Sequence, residues 1–226
     1  MQVKRGVQSK PVARLFAAME AVLSTLLALF PLDLVLLPNT PLPLHIFEDR
    51  YREMVAECLE NKKAFGVVRA KENEGVADIG CTAEIVEVSK RYQDGRMDIL
   101  TRGRERFEVM RVDQERAFLR AEVAYIQDEP GKARPEDISR ALKLQGEILE
   151  LAGAEIDRSA FEESPQLSFV IAGSLPLDLD FKQTLLGVNS ESERMQTVIA
   201  YLETILPNLR RTLHLRQKAG GNGHGL

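Results

Sequence analysis

The sequence predicts an α+β fold in which a small, closed or nearly closed β-domain with one early helix precedes a C-terminal helical bundle. Three observations predict it. From Ala64 to Glu129, short apolar runs alternate with turn signals, as the strands of a small barrel do. Ahead of them Tyr51, Met54, Val55, Cys58 and Leu59 recur at helical spacing. Beyond Asp128-Glu129-Pro130-Gly131 every periodic segment is helical.

Taken in order, residues 1–28 read as a partly disordered N-terminal extension. Lys4, Arg5, Lys10 and Arg14 precede an uncharged stretch at 21–32, which resembles the layout of a secretory signal. Glu20 interrupts the apolar part, and Leu26 stands where cleavage after Ala28 would need a small residue. The stretch is also too short to span a bilayer. A cytoplasmic location follows as the expectation, with Cys58 and Cys81 as buried, reduced thiols.

The β-domain is expected over residues 29–129. Branched apolar residues between Pro31 and Pro38 read as a short buried strand. Pro38, Pro41 and Pro43 then predict a stiff elbow outside any sheet, because prolines lack the N–H a ladder needs. After Ile46 a helix is expected, with Glu48 and Asp49 at the positive end of its dipole and a Glu48–Arg52 pair along it. Strands follow around Phe65–Val68, Thr82–Ser89, Met97–Thr101, Arg106–Val112 and Phe118–Ile126. In Thr82–Ser89 the apolar parity switches from Ala83 and Ile85 to Val86 and Val88, the mark of a bulge. Asp94-Gly95 predicts a hairpin turn.

The helical part is expected over residues 130–218. Pro135 with Glu136 and Asp137 starts one helix, whose apolar face runs through Ile138, Ala141, Leu142, Ile148, Leu149 and Ala152. Leu167–Leu175 is apolar nearly all round and must be buried. A short helix from about Asp180 stops at Gly187, and Ser190 with Glu193 forms the capping box of a long one. Pro207 should kink or restart it. Residues 219–226, rich in glycine, read as a disordered tail.

Several of these segments carry a resemblance. The run Phe30-Pro31-Leu32 … Val35-Leu36 … Pro38 … Leu42-Pro43-Leu44-His45-Ile46-Phe47-Glu48-Asp49-Arg50-Tyr51 resembles the opening of the Lon protease N-terminal (substrate-binding) domain family, with Asp49 where that family usually has proline. Gly80–Ile85, Asp94-Gly95-Arg96, Gly103-x-x-Arg106-Phe107, Lys182-Gln183-x-x-Leu185-Leu186 and Glu193-Arg194-Met195 continue it, over about residues 29–207. The resemblance implies a PUA-like small β-barrel followed by a helical bundle. It also implies a module that binds unfolded or partly folded polypeptide in quality control or regulation, with a protease or chaperone as partner; the enzyme motifs missing from this chain make a stand-alone module the expectation.

The chemistry of an enzyme is missing from the residues. The Gly131-Lys132 pair is followed by Ala133 and has Ile126 where a P-loop needs its first glycine. His45 is the one histidine inside the predicted folded body, and neither G-x-S-x-G, H-E-x-x-H nor C-x-x-C occurs. His45 is therefore expected to fix the elbow by a hydrogen bond. No catalysis, cofactor or metal is expected. The candidate peptide-binding residues are Pro41, Leu42, Leu44, Phe47 and Tyr51, apolar groups on a backbone that proline holds in one shape.

Two alternatives stay open: a PUA-like RNA-binding module, and a scaffold for one folded partner. For RNA the candidates are Arg102, Arg104 and Arg106, which alternate and on a regular strand would share a face. Residues 89–120 hold nine Lys/Arg against six Asp/Glu, but the chain as a whole carries −4, so nucleic acid is disfavoured. No membrane partner is expected.

Overall fold

The structure, a computed structural model, describes residues 26–71, 75–154 and 164–221. Residues 1–25 of the expected extension and 222–226 of the expected tail lie outside the described residues.

Strand β1 (Leu27–Leu32) starts two residues before the expected domain boundary and stops well short of Pro38. It lies parallel to β3 (Phe65–Lys71) and antiparallel to β7 (Arg120–Ile126). Pro31 fits inside it because of parity. The N–H of Leu29 donates to the Leu119 carbonyl at 2.8 Å, so position 31 points the same way, past the last β7 pairing at Leu27 and Ala28. Residues 33–40 form a loop that buries Leu36 and Leu37.

The expected elbow is a strand. Pro41–Ile46 forms β2, paired antiparallel to β6 (Met97–Asp113) from Pro41↔Arg102 to Ile46↔Met97. Pro41 and Pro43 have the same parity, so Leu42, Leu44 and Ile46 supply the donors toward β6. The proline positions face the open edge of β2, where an N–H is not needed and its absence discourages pairing with another chain. Helix α1 (Asp49–Asn61) then buries Tyr51, Met54, Val55 and Cys58, as its spacing predicts. Each such burial contributes about 1.5–3 kcal/mol. The Glu48–Arg52 pair does not form: Glu48 binds Arg50, and Arg52 reaches Asp49 and the Asp94 carbonyl of the β5–β6 turn.

Strand β4 (Gly75–Val76) pairs with β3, and β5 (Ile79–Arg91) turns back through Tyr92–Arg96 into β6. Gly95 supplies the positive φ (86°) this turn requires. The two runs expected between Met97 and Val112 are one 17-residue strand. Register shifts in β5–β6 include one at Ile85/Glu87, the bulge that the switching parity predicts. Pairings run β1–β7–β6–β5–β3 and return from β3 to β1, so five strands close on themselves. β2 and β4 attach outside that ring, on β6 and β3.

The second half is helical: α2 (Pro135–Leu151), α3 (Leu167–Gly173), α4 (Leu179–Leu186) and α5 (Glu191–Gly221). Leu167 to Ala172 are all buried, as an all-round apolar helix must be. α5 runs through Pro207 without ending, and its last residues, 219–221, belong to the expected tail. One core joins the halves: Phe30, Met54 and Phe65 belong to the same apolar cluster as Phe169, Leu185 and Leu202.

Both cysteines are free and buried, and burial pushes the Cys58 thiol up to about 11 and that of Cys81 to about 12. Thiolate is the reactive form. Iodoacetamide at neutral pH is therefore expected to leave both unmodified in the folded chain and to alkylate both in urea, read by intact mass. Rapid labelling of either without denaturant contradicts the packing.

Candidate functional site

Pairing of β2 with β6 sorts the candidate peptide-binding residues onto two faces. Leu42, Leu44 and Ile46 oppose Thr101, Ile99 and Met97 on the inner face, and all three partners are buried. Leu42 and Leu44 are half-buried against the core. Tyr51 is also buried, with its ring 4.1 Å from that of Phe30. Pro41 is exposed, as is Pro43 opposite Leu100. Phe47, just after the strand, is 59% exposed. Of the five candidates, only Pro41 and Phe47 present themselves to solvent, and Pro43 joins them.

His45 fixes this outer face, as its position suggested. Its Nδ1 lies 2.5 Å from the Asp98 carboxylate, and its ring stacks on Phe47 at 5.9 Å. Tyr92 donates to the other Asp98 oxygen at 2.8 Å. Hydrogen bonds from His45 and then Tyr92 hold the Asp98 carboxyl below its ordinary range.

The arginine triplet does not share a face. Between Gly103 and Arg106, two β6 residues oppose Thr82 alone, and the Thr82 hydroxyl accepts the Glu105 N–H at 2.9 Å. This bulge turns Arg106 inward, where 2% of it is exposed. Arg102 and Arg104 stay outside, and Arg104 is bound to Glu84 at 2.5 Å.

Inside, Arg106 donates to the carbonyls of Leu186 (2.7 Å) and Val188 (2.9 Å) and to Asp128 (2.5 Å). Arg194, fully buried, donates to both Asp128 oxygens (2.9 and 2.6 Å), to Glu191 and to the Val188 carbonyl. Ser168 donates its N–H and hydroxyl to Glu191 at 2.9 and 2.6 Å. Both guanidinium groups lie over the Phe169 ring, at 5.6 and 4.3 Å. Burial raises the Asp128 pKa, but the hydrogen bonds of Arg194 and Gln166 and the charges of Arg194 and Arg106 outweigh it and hold that carboxyl low. This junction ties the barrel to the bundle. Sequence reading missed it because its partners are distant in the chain; Asp128 read only as part of the boundary between the β and helical parts.

A second concave region lies at the other end of α1. Two cavities of about 600 Å³ each share Cys58, Lys63, Ala64, Thr82 and Glu105 and so run into each other. Sequence reading singled out none of these as site residues, although Asn61-Lys62-Lys63 marks the polar end of the apolar helical pattern. Among the described residues no group of three or more His, Cys, Asp or Glu is placed to hold a metal ion. No helix there is long and apolar enough to cross a membrane.

Known proteins resemble this chain in both sequence and shape. It is 24% identical over 207 residues to Lon protease 2 of Syntrophobacter fumaroxidans, covering 85% of this chain and 26% of that protein. To Lon protease 2 of Myxococcus xanthus it is 27% identical over 184 residues, covering 74% and 22%. The chain thus spans about a quarter of the length of the curated relatives it matches. The crystal structure of a Lon N-terminal domain protein from Xanthomonas campestris superposes with a TM-score of 0.62 at 27% identity, covering 79% of this chain and 99% of that one. The N-terminal domain of a Mycobacterium avium complex Lon protease shares the fold at 18% identity and a TM-score of 0.56, with 79% and 98% covered. The family model of the ATP-dependent protease La (LON) substrate-binding domain matches residues 26–204, and the chain belongs to that family.

Proposed function

We propose that this chain is a non-catalytic module that binds unfolded or partly folded polypeptide, in a cytoplasmic quality-control or regulatory role. A separate protease or chaperone acts on what it holds. Family membership supports binding of polypeptide substrates. The observation that carries the reading to a surface is the exposure of Phe47 just past a strand whose Pro41 and Pro43 also face solvent, and which prolines and the β6 ladder hold in one shape. A rigid apolar display loses little ordering entropy when a partner arrives and demands no single hydrogen-bond pattern.

Phe47→Ser is expected to weaken binding of a fluorescent unfolded-protein peptide roughly tenfold by anisotropy, since exposed aromatic anchors carry most of such an interface. Its melting temperature should stay unchanged, and neither protein should hydrolyse ATP or degrade casein. Unchanged peptide affinity removes this surface from the reading. Salt-sensitive RNA binding in place of peptide binding favours the RNA alternative instead.

A further inference from the structure

We propose that the cavity at the C-terminal end of α1 is a docking groove for an extended polypeptide segment whose apolar side chains are flanked by carboxylates. The inference rests on the polypeptide-binding reading and adds a second site and a charge preference to it. The groove exists because α1 ends abruptly. Lys62 takes a left-handed conformation (φ 53°), and β3 starts only three residues later at Phe65. That sharp exit leaves Leu59 and Ile85 half-buried and, with Cys58 and Ala64, they make an apolar lining to a cavity of about 600 Å³. The second cavity extends it past Thr82 and Glu105, giving the elongated form that suits a chain better than a compact ligand.

Charge selects the occupant. The arginines of the two cavities are already neutralised: Arg104 by Glu84, Arg116 by Glu53 and Glu57, and Arg120 by Asp113. Lys62 and Lys63 have no carboxylate within 4.0 Å among the described residues. Among the described residues their ammonium groups are therefore unpaired, on exposed side chains that line the same cavity as the apolar residues. Glu105, which lines both cavities, has no cation within 4.0 Å among the described residues, so it repels an acidic residue beside it and favours carboxylates placed at the lysines instead.

Two fluorescent peptides of about ten residues, enough to run the groove in extended form, test this with the full chain. They share an apolar centre and differ only in flanking glutamates or lysines. The glutamate peptide is expected to bind the wild type more tightly than its lysine twin. Combined Lys62→Glu and Lys63→Glu should weaken the glutamate peptide about tenfold and strengthen the twin. A photo-crosslinking residue at Asn61, an uncharged and exposed position in the lining of the second cavity, should capture the glutamate peptide. If both peptides bind and the double variant changes neither, the groove fails while polypeptide binding at Phe47 survives. If neither binds the wild type, both readings fall. Crosslinking from position 61 onto residues 1–25, the part of the chain that precedes the lining residue Leu26, or onto a second copy assigns the groove to that occupant and overturns the proposal.

Discussion

Arg194→Met is expected to lower the free energy of unfolding by about 3–5 kcal/mol, the cost of stranding buried charge by removing its partner. Methionine fills much of the space, so packing loss is the smaller part. Glu191 keeps only its bonds from Ser168, and Asp128 keeps Arg106 and Gln166 but loses a guanidinium bound to both its oxygens. Arg194→Lys should rescue little, since a point charge cannot reach Asp128, Glu191 and the Val188 carbonyl together. Acid provides an independent check. The folded pKa of Asp128 lies below its ordinary value, so its contribution is present above the unfolded pKa and is lost as pH falls through the folded one. Urea titrations at pH 7 and in the range below about pH 4 should show wild type losing stability across that window and Arg194→Met losing less. Equal stability of the variant at pH 7 refutes the role given to this junction.

Gly103→Ala is expected to destabilise by about 3 kcal/mol, at the upper end of the usual cost of overpacking. A methyl group built at Gly103 overlaps the Leu37 carbonyl oxygen, which is backbone and cannot rotate away. The loop cannot retreat cheaply either. Asn39 donates to the Gly103 carbonyl at 2.8 Å, and Gly103 donates to that of Thr40 at 3.0 Å. Gly75→Ala makes the comparison: among the described residues no heavy atom beyond its chain neighbours lies within 4 Å of the added methyl, and the positive φ of 85° opposes it at about 1 kcal/mol. Thermal and urea unfolding should rank the two in that order, and a reversed ranking refutes the close approach at Gly103.

Elements whose partners are local were legible in the sequence. The spacing of Tyr51, Met54, Val55 and Cys58 suffices for α1, and Asp94-Gly95 for the hairpin. β2 was not legible, because proline argues against a strand unless its neighbours are known; only the edge position of Pro41–Ile46 on β6 makes it admissible. The same gap affected the candidate surface. An elbow leaves the facing of Leu42 and Leu44 open, whereas a paired strand turns them inward and turns Pro41 and Pro43 outward. Arg106 does not share a face with Arg102 and Arg104, as a regular strand would require, because one bulge opposite Thr82 changes the parity between them. The Asp128–Arg194 contact joins residues 66 positions apart, a separation to which no periodicity extends.

The ring of strands imposes an order on its own assembly. Leu27–Leu32 leaves the ribosome before any of its neighbours, yet Leu27 must bond to Ala121. Contact with β3 becomes available once α1 has been made, and this crossover lets Leu29–Leu32 find Gly66–Arg69 early. The opposite side of β1 has to wait through the whole β5–β6 hairpin. Until then a nascent chain carries an apolar strand with one unsatisfied edge, the situation in which chaperones are needed and in which foreign strands compete. Closure between the first strand and the last is the contact of longest range in the barrel, so it carries the largest loop-closure cost of any pairing in the ring.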